Sequence, residues 1–133
     1  MKTIRHLSLS GLALSTALLL PALAQAEDQH YTCSYTEASY TAPFMKNPAV
    51  RKCPESHCSY QVMISNGQAS INGVVGFMLE QSETMLKLSR TARDPIMGGM
   101  DSTVLTINKT DMSFESIKTT TPDVTLTTRG RCS

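Results

Sequence analysis

The sequence holds 133 residues, with twelve Lys and Arg against eleven Asp and Glu, four cysteines, no tryptophan and a charged fraction of 17%. A chain of this length forms one domain and leaves no room for the second domain of a large nucleotide-dependent enzyme. Its near-neutral balance supplies no global field to hold nucleic acid or an anionic membrane.

Residues 1–26 read as a removable export signal: Lys2 and Arg5 form a basic start, Leu12 to Leu23 an apolar run broken by Ser15, Thr16 and Pro21, and Ala24-Gln25-Ala26 a small-x-small cleavage pattern. That run is shorter than the roughly 20 apolar residues a membrane span needs. Removing 26 of the 133 residues leaves 107, numbered 27–133, as a single β domain expected in the periplasm or outside the cell and not inserted in a membrane. Lys2 and Arg5 leave with the signal, so ten basic residues then face eleven acidic ones.

The exported part reads as strand after strand. His30 to Tyr35 is the first. From Ala42 to His57 there is no periodicity, three prolines interrupt the chain, and a long loop is expected. Tyr60, Val62 and Ile64 then alternate with Gln61, Met63 and Ser65, and Asn66-Gly67 supplies the two positive-φ residues of a type I′ hairpin turn. Gln68 to Asn72 pairs back as the second arm, and the apolar run Val74 to Leu79 is taken as a strand. Met85 to Arg90 places Leu86 and Leu88 opposite Met85 and Lys87. Asp94-Pro95 and Gly98-Gly99 mark a loop of roughly ten residues. Ser102 to Asn108, Met112 to Lys118 and Val124 to Gly130 complete the set, separated by turns at Asn108-Lys109-Thr110-Asp111 and Pro122-Asp123. The fold class is therefore all-β: an antiparallel meander of about seven or eight strands closed as a small barrel or folded as a sandwich. The expected core is Val62, Ile64, Phe77, Leu79, Leu86, Leu88, Leu105, Ile107, Phe114 and Leu126, with the methionines mostly as filler.

An even number of cysteines in an exported domain of this size argues for two disulfides, for which three pairings exist. Cys33 and Cys132 lie near the two ends of the exported part and Cys53 and Cys58 have four residues between them, which favours Cys33 with Cys132 and Cys53 with Cys58.

Catalytic chemistry finds little support. The exported part has two histidines, His30 near its start and His57 inside the short cysteine loop, and neither is placed as the base of a nucleophilic device. No enzyme activity and no cofactor are expected. Soft-metal binding through His30, His57, Met97 and Met100 is the alternative, because imidazole and thioether groups suit copper or zinc. The favoured reading is a binding or inhibitor module for an unidentified protein or envelope component, with no nucleic-acid partner. Its contact residues are placed in the proline-restricted segment 43–57, where Lys46, Arg51 and Lys52 concentrate positive charge beside Phe44.

Tyr31-Thr32-Cys33, the segment Leu105-Thr106-Ile107-Asn108-Lys109-Thr110-Asp111-Met112-Ser113-Phe114, and the closing Arg129-Gly130-Arg131-Cys132 together resemble small secreted proteobacterial β proteins of unknown function. Those begin with a strand-borne Cys and end in Gly-x-Cys, and the resemblance implies the β fold and a first-to-last disulfide. The chain is also similar in size, β content and cysteine placement to periplasmic inhibitors of c-type lysozyme. Their Ser-Gly-x-x-Tyr stretch and tryptophan-bearing motif have no counterpart in it.

Overall fold

The structure, a computed structural model, describes residues 28–55, 57–121 and 123–133. The expected signal at 1–26 and Pro122 of the expected Pro122-Asp123 turn lie outside them. In chain order the strands are β1 (Gln29–Tyr35), β2 (Glu37–Thr41), β3 (Ala49–Lys52), β4 (Cys58–Ser65), β5 (Gln68–Ile71), β6 (Val74–Gln81), β7 (Met85–Arg93), β8 (Met100–Asn108), β9 (Ser113–Thr120) and β10 (Val124–Cys132). From β4 to β10 each strand pairs antiparallel with its successor, and β1 pairs with both β4 and β10. Eight strands thus close into a barrel, which decides between barrel and sandwich; β2 and β3 add a hairpin on β10. Among the described residues no helix is long and apolar enough to cross a membrane.

Alternation along each strand sends every second side chain inward, and the register lines these up in rows. Leu79, Leu88, Leu105, Ser116 and Thr128 are successive cross-strand partners, and Gln81, Leu86, Ile107, Phe114 and Gly130 form the next row. The core gathers Val62, Ile64, Ala69, Ile71, Leu86, Leu88, Leu105, Ile107 and Phe114 around Cys33 and Cys132. Each large side chain buried there contributes about 1.5–3 kcal/mol. Phe77 and Leu79, expected inside, are partly buried and pack against this cluster. Leu126 corrects the expectation: its inward position is level with Lys118 and Tyr40 near one end of the barrel, outside the core. Of the methionines, Met112 packs against the core cluster, but most do not fill the core. Met63, Met78 and Met85 take outward strand positions, Met97 and Met100 lie in or beside a loop, and all five are exposed.

The expected long loop from Ala42 to His57 is largely a hairpin. β3 pairs with β2 from Glu37↔Lys52 to Tyr40↔Ala49. All four β3 residues are exposed, so no buried face imprints the alternation that would reveal a strand. Pro43, Pro48 and Pro54 fall outside the strands, where they take no donor from the ladder. Two boundaries also move. The second arm of the first hairpin stops at Ile71, because Asn72 and Gly73 (φ 50° and 82°) make another Asn-Gly turn like Asn66 and Gly67. The expected ten-residue loop shrinks to 94–99, because β7 runs on to Arg93 and β8 starts at Met100.

β1 and β2 are halves of one strand bent at Thr36. On one edge β4 and β3 follow them in sequence reverse; the chain leaves the sheet after Lys52 and rejoins it at Cys58, a gap facing Thr36, whose carbonyl accepts from the Cys53 N–H at 2.9 Å. The Cys53–Cys58 disulfide ties the base of that excursion. On the other edge lies β10, paired at Cys33↔Cys132 and Ser34↔Arg131 and again from Ala38↔Thr128 to Thr41↔Thr125. Between these stretches three residues of the bent strand face two of β10, a bulge. Gly130 sits in it, and a Cβ there would overlap the Ser34 carbonyl oxygen, which gives the Gly130-Arg131-Cys132 ending a steric reason. The Cys33–Cys132 disulfide lies across the closing seam, flanked by mutual backbone bonds between Thr32 and Ser133 at 3.0 and 2.9 Å.

Candidate functional site

Because successive strands alternate direction, the β5–β6, β7–β8 and β9–β10 connections share one end of the barrel, here termed the upper end, with the β2–β3 hairpin beside them. Toward this end the interior changes character. Above the aliphatic rows, Tyr35 stacks on Tyr60 with ring centroids 5.0 Å apart, and Phe114 meets both edge-on at 6.5 and 5.9 Å. The Tyr60 hydroxyl shares a 3.2 Å hydrogen bond with Thr128, and Ser116 and Thr128 are themselves buried. The next inward row is Arg90, Thr103, Lys118 and Leu126, consecutive cross-strand partners on β7, β8, β9 and β10.

These residues bound a cleft of about 240 Å³ at the mouth, lined by Tyr60, Ile71, Phe77, Arg90, Thr103 and Lys118 among others. Among the described residues neither Arg90 nor Lys118 forms an ion pair. Asp101 occupies the inward position one step above Thr103, and its Oδ1 is buried without a hydrogen-bond partner.

Burial pushes the Tyr35 hydroxyl up to about 12 from its ordinary value of 10.0, and Tyr60 beside it adds to the shift. Since the folded value exceeds the unfolded one, the stability this contributes is fully present below pH 10 and is lost as pH rises through about 12. An ultraviolet titration of phenolate absorbance, with Tyr35→Phe as the reference, should show Tyr35 ionising well above its ordinary value. Ionisation of Tyr35 at its ordinary value, with the fold intact, would contradict this burial.

The chain matches no family model, no curated protein and no solved structure. Phe44 and Lys46 lie exposed in the β2–β3 connection, and Arg51 and Lys52 lie exposed on β3 itself, with the Arg51 guanidinium 5.7 Å from the Tyr40 ring centroid. The hairpin thus gathers the four residues assigned to partner contact. The residues of the alternative metal set are not gathered. His30 is at the lower end of β1, its Nε2 2.8 Å from Gln61 Oε1, whereas Met97 is in the β7–β8 loop at the upper end. His57 is exposed in the loop closed by Cys53–Cys58, and all four cysteines are in disulfides, so none offers a thiolate.

The β7–β8 loop is held firmly. Asp94 Oδ1 accepts from the Ile96 and Met97 N–H groups at 2.8 and 3.0 Å, its backbone N–H reaches the Gly99 carbonyl at 2.7 Å, and Arg93 donates to the Gly98 carbonyl at 3.0 Å. The Met97 and Ile96 amides hold the Asp94 carboxyl below its ordinary value. So fixed, the loop displays Ile96 at 89% and Met97 at 59% of full exposure.

Sequence reasoning missed Arg90, Thr103 and Lys118, yet a signal was present. Leu86-x-Leu88-x-Arg90, Asp101-x-Thr103-x-Leu105 and Phe114-x-Ser116-x-Lys118 each carry a core-facing alternation that turns polar toward the same end of its strand. Three such changes in neighbouring strands mark a mouth.

Proposed function

We propose that the protein is an exported, non-catalytic binding module that engages a protein or envelope component with the upper end of its barrel. The observation that carries this reading is the presentation of Phe44, Ile96 and Met97 to solvent at the end that also bears Lys46, Arg51, Lys52 and Arg93. Exposed large apolar side chains grouped with a polar surround mark interaction surfaces. The hydrogen-bonded β7–β8 loop needs little ordering when a partner arrives, which lowers the entropy cost of association. Surrounding cations favour an acidic partner surface and speed its encounter. Export is supported by the leader pattern and by two disulfides, a combination suited to an oxidising compartment. A binding role without catalysis is supported by the placement of His30 at the lower end of β1, away from the row formed by Arg90, Thr103 and Lys118.

Capture from the native envelope on immobilised residues 27–133 tests this reading. Phe44→Ser with Ile96→Ser should leave the melting temperature within error, because both side chains stand in water, and should abolish capture. Lys46→Ala with Lys52→Ala should weaken capture, with a larger effect at low salt where charges are least screened. Arg51 is a poorer choice, since its removal also loses the contact with Tyr40. Undiminished capture by both variants would place the partner surface elsewhere or remove it.

A further inference from the structure

Resting on the reading of the upper end as a binding surface and going deeper into it, we infer that the mouth cleft seats one carboxylate on a short apolar chain, held by Arg90 and Lys118 from either side of Thr103. The three residues are consecutive cross-strand partners at inward positions of the ladder, with Arg90 and Thr103 partly buried and Lys118 exposed at the rim. Neighbouring strands lie about 5 Å apart, so the two cations start roughly 10 Å apart with a hydroxyl between them, and both side chains are long enough to converge on a common anion. Neither forms an ion pair among the described residues, although Arg90 is partly buried. An inward cation in that state gains more from a charged acceptor than an exposed one does, because water screens it less.

The wall beside Arg90 is shaped for it. β5 and β6 pair at Ala69↔Phe77 and Ile71↔Val74, so Val75 and Gly76 together oppose the single residue Ser70. Gly76 takes a φ of 91°, and a Cβ on it would touch Arg90 Nε at 3.5 Å. Bulges at barrel rims re-aim strands and the side chains beside them, and this one brings bare backbone against the guanidinium. On the same β5–β6 wall Ile71, Val74 and Phe77 present apolar surface, and Tyr60 and Ser116 complete the lining. A space of about 240 Å³ is below the range for whole drug-sized ligands and suits an end group with a short chain.

Charge decides for a carboxylate over a phosphate monoester. Arg90 and Lys118 bring two positive charges, and Asp101 one inward step above Thr103 returns one negative charge without pairing with either. The mouth therefore balances one negative charge, and a dianion would face the Asp101 carboxylate.

The test is titration of the oxidised, isotope-labelled exported protein with hexanoate, hexyl phosphate and hexanol at fixed ionic strength, following backbone amide shifts. Hexanoate should give saturable shifts at Gly76, Arg90, Thr103 and Lys118, hexyl phosphate should bind more weakly, and hexanol should move none of them. Arg90→Gln and Lys118→Gln should each weaken hexanoate roughly tenfold or more, with spectra otherwise unchanged, and Asp101→Asn should strengthen it. The inference is overturned by the absence of saturable hexanoate shifts, by tighter binding of hexyl phosphate, or by unchanged affinity in both glutamine variants. Failure here with Phe44- and Ile96-dependent capture intact removes the carboxylate seat and leaves the binding module standing. Hexanoate binding without capture does the reverse.

Discussion

Replacing Cys33 and Cys132 together by alanine is expected to cost about 4–5 kcal/mol, against about 2 kcal/mol for the same change at Cys53 and Cys58. The two bonds close chain segments of very different length, with sequence separations of 99 and 5. In the chain-entropy account the longer closure removes far more freedom from the unfolded ensemble. Packing acts in the same direction, since Cys33 is 0% exposed and both Cys33 and Cys132 belong to the core cluster, whereas Cys53 and Cys58 tie a loop at the barrel edge. Domains have a total stability of only about 5–15 kcal/mol, so the first variant should be close to unfolding at ambient temperature. Urea unfolding of both double variants checks this. Equal losses would show that chain entropy is not what the seam bond contributes.

Leu105→Ala carries the second large effect, about 2–5 kcal/mol. Leu105 is fully buried midway along β8, with Leu88 on one side, Ser116 on the other and Ile107 two positions along the same inward face. Truncation removes buried methyl groups from a site walled by sheet on all sides, so the space left collapses poorly. The midpoint in urea should fall with little change in slope. Met78→Ala is the matched control: its side chain is 70% exposed on an outward position, and its loss should stay within about 0.5 kcal/mol. Comparable losses at the two positions would mean that the faces of the barrel are reversed.

What the sequence made legible follows from which strands have a buried face. β4, β7, β8 and β9 bury one side and water the other, so Val62 with Ile64, Leu86 with Leu88, Leu105 with Ile107, and Phe114 could be read by alternation before any coordinates. β3 has no buried face and left no trace beyond its charges and the prolines that flank it. Leu126 misled because alternation gives direction and not depth. It points inward, but at the height of Lys118, where the barrel opens. Asn72-Gly73 carried the same turn signal as Asn66-Gly67, but Asn72 was absorbed into an arm, an error of one residue that hid the turn. Phe44, Lys46, Arg51 and Lys52, proposed above as partner contacts, were singled out through composition, and the structure brings them to one hairpin. Arg90, Thr103 and Lys118 escaped because they are scattered over three strands, and only cross-strand register makes them neighbours.

The seam has a consequence for how the molecule is made. Strands β4 to β10 form through hairpins between chain neighbours, each a local and rapid event. Joining β1 to β10 instead requires residues 33 and 132, separated by 99 positions, to find each other, the slowest search in this topology. The Cys53–Cys58 bond can form as soon as its short loop exists, whereas the thiols of Cys33 and Cys132 meet reliably only once the circle is complete. Oxidation of that second pair therefore serves as a clock for folding. A time course of thiol trapping would read out, molecule by molecule, how long each chain spends as an open sheet with two unprotected edges.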